Sequence, residues 1–141
     1  MQTWSSYKAR TEGGRFQTAH RAIAVAISRL SEHHNGNIVS VVLFGSLARR
    51  RPTYHDIDLL VVTDQAAGSP AEATRRLAEE VFGPLFWEYG ELFSPLIYTA
   101  GQLAQLQGEL PLLETIRREG VLLYGQDPFT KAPGSSLPAD R

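Results

Sequence analysis

Residues 43–62 read LFGSLARRRPTYHDIDLLVV, and the fold turns on them. The stretch leaves one apolar run through Gly45-Ser46, crosses Arg49, Arg50 and Arg51, and enters a second apolar run at Asp56 and Asp58. Carboxylates at the mouth of a buried strand are costly to desolvate unless a cation or hydrogen bonds compensate them. Residues two apart on a strand share a side, so Asp56 and Asp58 point one way while Ile57 and Leu59 point the other. Two carboxylates on one face suit a hard cation, and magnesium takes few carboxylates together with water and phosphate oxygens. Gly45 permits close backbone approach, and Ser46 adds a hydroxyl beside amides that open a helix, a turn suited to phosphate. Alone, an Asp-x-Asp caps a strand or pairs with nearby arginines, and a Gly-Ser is a turn. Together, framed by two apolar runs, they form a specific composite.

Outward from this segment, the pattern predicts alternating elements. Phe16, Ala19, Ile23, Ala26, Ile27 and Leu30 recur at helical spacing, predicting a helix from Arg15 to about His33 that His34-Asn35-Gly36 stops. Val-rich Ile38 to Phe44 reads as a strand covered on both faces, after which Ser46 is positioned to cap a short helix through Arg50. Asp58 to Val62 reads as a second buried strand, and Pro70 opens a helix to about Phe82, with Ala73, Leu77, Ala78 and Val81 inward and Gly83-Pro84 as its break. Glu91 to Tyr98 predicts a third strand whose Pro95 places it at an edge or irregularity. Two short helices, Ala100 to Gln107 and Leu110 to Arg118, and a last strand, Val121 to Tyr124, complete the order. It indicates an α/β (α+β) fold, a small mixed sheet flanked by helices. The expected organisation is an N-terminal extension over 1–14, one domain over 15–125, and a flexible tail over 126–141, rich in Pro, Gly, Ser and charge.

The 141 residues fit one domain with an adequate core and no second one. No apolar run is long enough to cross a membrane and no leader is evident, so a cytoplasmic home is the default expectation. Absence of cysteine excludes disulfides, thiolate metal sites and a cysteine nucleophile. A net charge of -1 argues against broad binding to nucleic acid, which wants a basic face. His33-His34 lacks spaced companions and reads as a helix end. His55 reads as a solvated loop histidine, and Trp87 and Tyr89 as core, interface or a stacking surface for a base.

Gly45-Ser46, nine intervening residues, and Asp56-Ile57-Asp58-Leu59 resemble the signature of the polymerase-beta-like nucleotidyltransferase superfamily, particularly its minimal nucleotidyltransferase (MNT) type. The resemblance implies a nucleotidyltransferase fold in which Gly45, Ser46 and Arg49 hold a nucleoside triphosphate and Asp56 and Asp58 bind two magnesium ions. Ala48-Arg49 matches the usual continuation of the turn. Arg50 replaces the glycine that commonly follows, His55 replaces the serine usual before the first aspartate, and the loop is one residue shorter than in many small relatives. Active members also carry a third carboxylate on a later strand, and here Ser94 stands in that place. Glu91 is the nearest substitute and Glu88 the next. Three residues from Ser94, Glu91 falls on the opposite face of an ideal strand unless a bulge intervenes.

The resemblance implies a magnesium-dependent nucleotidyltransferase, with Asp56, Asp58 and Glu91 as its catalytic acids, that moves AMP from ATP, or another nucleotidyl group, to a hydroxyl. Small members often pair with a helical HEPN protein, as antitoxin to its ribonuclease, which makes a protein the expected acceptor. The alternatives are a small-molecule acceptor whose pocket a second copy of the chain completes, as a homodimer, and a catalytically degenerate module that binds nucleotide or partner.

Overall fold

Strand β2 (Ile38–Phe44) is the middle of a five-stranded sheet ordered β1-β5-β2-β3-β4, with β1 at Gln2–Thr3, β3 at Ile57–Thr63, β4 at Phe93–Thr99 and β5 at Val121–Gly125. The computed structural model describes residues 1–33, 38–64 and 70–129. β2 runs antiparallel to both β3 and β5, whereas β3–β4 and β1–β5 pair in parallel, so the sheet is mixed. A parallel pair needs a crossover, and the chain between β3 and β4 supplies a helical one. β-branched residues on β2 and β3 fill a pleated surface that is covered on both sides.

Alternation along these strands divides the core. Val41, Leu43, Ile57, Leu59 and Val61 pack with Ala19, Ile23, Ala26 and Leu30 of helix α2 (Gly14–His33) and with Leu77, Val81, Phe82 and Leu85 of the crossover. Val42, Leu60 and Val62 pack on the other face with Leu103 of α6 (Ala100–Leu106) and with Leu113 and Ile116 of α7 (Pro111–Glu119). Asp58 continues the Leu60–Val62 row by the same alternation. It therefore lies at the end of the face that α6 and α7 cover.

The elements follow their expected order, with instructive departures. The crossover helix α4 (Pro70–Leu77) passes through a π-helical turn (Ala78–Phe82) straight into α5 (Gly83–Tyr89), so Gly83-Pro84 does not break it. The π turn absorbs an extra residue, and Pro84 falls in the first turn of α5, where a missing N–H is tolerated. Gly83 keeps helical angles here, and a Cβ on it would come within 3.0 Å of Ala78 O. Leu77 and Val81 face inward as expected; the side chain of Ala73 lies outside the described residues, as do His34-Asn35-Gly36. β4 is an edge strand, as Pro95 requires. Thr99 and Gln102 close a reciprocal cap at the start of α6.

Both ends of the domain extend further than composition suggested. Residues 1–14 are part of the fold: Gln2 pairs with Val121 and Thr3 with Leu122. Thr3 then caps helix α1 (Trp4–Arg10) by accepting from Ser6 N at 3.2 Å. Tyr7 of α1 is fully buried between Trp4 and His20, whose ring centroids lie 5.9 Å and 6.0 Å away. At the other end Phe129, beyond the expected boundary at Gly125, is buried against the α6–α7 face. A short apolar tail residue leaves no periodicity to read, yet it seals a core. Residues 130–141 lie outside the described residues.

Candidate active site

The Gly-Ser turn is built where β2 gives out. Gly45 takes a φ of +82°, a left-handed angle that reverses the chain into the short helix α3 (Gly45–Ala48). Arg49 N donates to Gly45 O and Arg51 N to Ser46 O, each at 3.1 Å, so the basic triplet continues the turn. Arg50 sits at a φ of 59°. Ser46 is not the expected cap: Phe44 takes the cap position, and Ser46 lies half-buried within the first turn. Tyr7 holds the far side of this turn, donating its hydroxyl to Leu47 O at 2.6 Å. Burial pushes the Tyr7 phenol up to about 12, against the pull of Arg50, so it remains a donor through neutral pH. Sequence reading missed Tyr7. The signal was the Trp4/Tyr7 pair at helical spacing in the segment taken as an extension.

The register brings the acids to this turn. Phe44 pairs with Asp58 across β2 and β3, and Asp58 pairs with Ser94 across β3 and β4. Asp56 lies one residue before β3, and Ser94 Oγ donates to its Oδ2. A Cβ on Gly45 would fall 2.2 Å from Asp58 Oδ2, so only glycine lets the backbone meet this carboxylate. Burial and, after it, the neighbouring Asp56 charge hold the Asp58 carboxyl above the usual range, with Arg49 pulling it down. A crowded pair of hard-oxygen donors, incompletely neutralised, has the chemistry that would suit a divalent cation. Among the described residues, no group of three or more His, Asp or Glu side chains is arranged to hold a metal.

The other expected participants divide. Arg49 is drawn to Glu119 at the end of α7, Nε to Oε1 at 2.9 Å, at the surface. Glu91 is held elsewhere: Tyr54 Oη donates to its Oε1 and Oε2 at 3.2 and 3.0 Å. Burial raises the Glu91 carboxyl, and the Tyr54 bond opposes that rise. The β3–β4 register runs unshifted from Ile57–Phe93 to Thr63–Thr99, so the bulge that would turn Glu91 toward Asp56 and Asp58 does not form within β4. Tyr54 and Phe93 belong to the α2 side of the sheet, opposite Asp58. The structure does not bring Glu91 to Asp56 and Asp58; Ser94 is the residue in register with Asp58 on β4. Glu88, the next substitute, pairs with Arg29 at 2.9 Å on the surface. Trp87 is 85% exposed, a surface residue and no part of the core, while Tyr89 packs partly against it.

Fold and site together press a Gly-Ser turn onto an Asp-x-Asp at the mouth of a central strand. The chain belongs to the nucleotidyltransferase domain family, which it matches over residues 23–107. Among solved structures, it is similar to a chain in a mutant of the toxin–antitoxin MntA-HpeT, at 19% identity and a TM-score of 0.48, with 71% of this chain and 70% of that one covered. A second similar chain occurs in tri-AMPylated Shewanella oneidensis HEPN toxin in complex with MNT antitoxin, at 19% identity, a TM-score of 0.47 and coverage of 75% and 72%. No curated protein matches the chain. No helix among the described residues is long and apolar enough to cross a membrane.

Proposed function

We propose that the domain binds a nucleoside triphosphate with magnesium and transfers its nucleotidyl group, AMP where ATP is the donor, to a hydroxyl. The observation that carries this reading is the contact geometry of Gly45 and Asp58, which sets a phosphate-suited turn directly against the carboxylate pair. Asp56 and Asp58 would hold magnesium, which supplies charge neutralisation at the reacting phosphate and activation of the attacking hydroxyl. The turn of Gly45 and Ser46 orients the triphosphate. Arg49, already close enough to lower the Asp58 carboxyl, exchanges Glu119 for a phosphate oxygen. Such positioning puts the donor in line before any bond changes.

As acceptor we propose a hydroxyl on a HEPN-type helical protein, following the resemblance of the Gly45–Leu59 segment to the minimal type. The test is calorimetry with ATP and magnesium, followed by label transfer to such a protein. Magnesium-dependent binding that Asp56→Asn with Asp58→Asn abolishes is the expected result, and unchanged affinity in that double variant sinks the metal reading. A second reading, a module that binds without transferring, is favoured by Ser94 in the third acid's place and by Glu91 on Tyr54. Tight binding with no transfer to any hydroxyl would establish it.

A further inference from the structure

Ser94 occupies the third acid's position with a hydroxyl of its own. It pairs in register with Asp58, and its Oγ donates to Asp56 Oδ2, so it is half-buried between the two residues that mark the reacting phosphate in the reading above. A carboxylic acid there would serve a hydroxyl brought from outside. A serine there is itself a hydroxyl, already hydrogen-bonded to a carboxylate, which is how a nucleophile is presented beside its base.

We propose that Ser94 is a modification site, the acceptor of a nucleotidyl group that the domain transfers to itself in cis. The proposal rests on the nucleotide-binding reading and goes beyond it. Ser94 Oγ forms a bond to the α-phosphorus while the bond from that phosphorus to the bridging oxygen of the β-phosphate breaks, and pyrophosphate departs with the electron pair. The hydroxyl proton passes along the existing hydrogen bond to Asp56 Oδ2 and on to water. Neither an oxidant nor a further co-reactant is required. The product is a phosphodiester on Ser94 that fills the seat between Asp56 and Asp58. Self-transfer therefore runs once per chain.

Two other hydroxyls lie nearby and are placed differently. Tyr54 Oη is engaged with Glu91 on the opposite side of the sheet. Ser46 is part of the turn assigned to the triphosphate tail. Ser94 alone of the three contacts an aspartate of the pair through a hydrogen bond the structure shows.

The test incubates the full chain with each of the four ribonucleoside triphosphates and magnesium, and reads intact mass and peptide maps. The expected result is one nucleoside monophosphate adduct per chain, on the peptide that contains Ser94. Ser94→Ala should lose it and Ser94→Thr, which restores a hydroxyl, should regain it. An adduct that persists in folded Ser94→Ala, or that maps to another residue of the wild type, overturns the proposal. Calorimetry with the non-transferable α,β-methylene analogue separates the two readings. Binding of the analogue without any adduct from the natural triphosphates overturns self-transfer and leaves nucleotide binding standing, whereas no binding overturns both.

Discussion

Gly45 and Asp58 meet across β2 and β3 so closely that the Asp58 carboxylate occupies the space a side chain at residue 45 would need. The glycine also holds a left-handed φ of +82°. These two demands coincide at one residue because the turn proposed to seat phosphate must also clear the acid proposed to hold metal. Gly45→Ala meets both penalties: about 1–2 kcal/mol for the angle, and displacement of Asp58 besides. Urea denaturation should show at least that loss, and calorimetry the loss of magnesium-dependent ATP binding. An alanine variant with full affinity would show that the turn does not seat the triphosphate.

Tyr7→Phe tests the support behind the turn. Its hydroxyl donates to Leu47 O, which also accepts from Arg50 N at 2.9 Å, so the variant loses one of two bonds to that carbonyl, at a cost of about 0.5–1.5 kcal/mol. Chemical denaturation measures that cost. Because the bond lies behind the turn and not in the nucleotide seat, ATP affinity should fall while the selectivity between ATP and GTP stays the same. A change of base preference would place Tyr7 in a different role.

The Asp58 carboxyl is raised by burial, then by Asp56, and this has a definite pH signature. A carboxyl raised in the native state contributes stability that is full below its unfolded pKa and is lost as pH rises through its native value. Asp58→Asn, uncharged throughout, should therefore match the wild type in acid and become the more stable of the two as pH climbs out of the ordinary carboxylate range. Urea midpoints between about pH 3 and about pH 7 read the difference. Magnesium should narrow it by stabilising the wild type alone. A gap independent of pH would remove the charge argument for a cation at this pair.

Phe129 makes the segment after β5 structural. It is 3% exposed and packs among Val42, Leu60, Val62, Leu103, Leu113 and Ile116. Phe129→Ala should cost about 3–5 kcal/mol, and a chain ending at Gly125 should melt well below the full chain. Equal melting temperatures would mean that the pocket closes without it.

Most of the fold was legible because its signals are local. Ile38–Phe44 and the α2 stripe announce themselves by period, and Pro95, read as marking an edge or an irregularity, lies on the edge strand β4. The Gly45–Asp58 core of the site was legible for a different reason: turn and carboxylates are joined by one short loop, so spacing alone relates them. What escaped reading depends on distant partners. Nothing near Tyr7 in sequence names Leu47, and nothing near Phe129 names Leu60. Gly83-Pro84 misled because a break signal was absorbed by a π turn, a choice made by the packing of Val81, Phe82 and Leu85. The destination of Glu91 hinged on Tyr54, an aromatic in a loop whose pairing no periodicity reveals.

The pairing of Gln2 with Val121 carries a consequence for biosynthesis. β1 has no partner in the sheet until β5 is made, so α1, tethered to β1, reaches its place beneath Leu47 only when that later strand is present. The aspartates and the Gly-Ser turn emerge much earlier, on a hairpin of their own. The turn and the carboxylate pair thus come together before the contact that braces them from behind. The support behind the Gly-Ser turn depends on a strand far downstream of it in sequence, and a chain that stops short of β5 lacks that support.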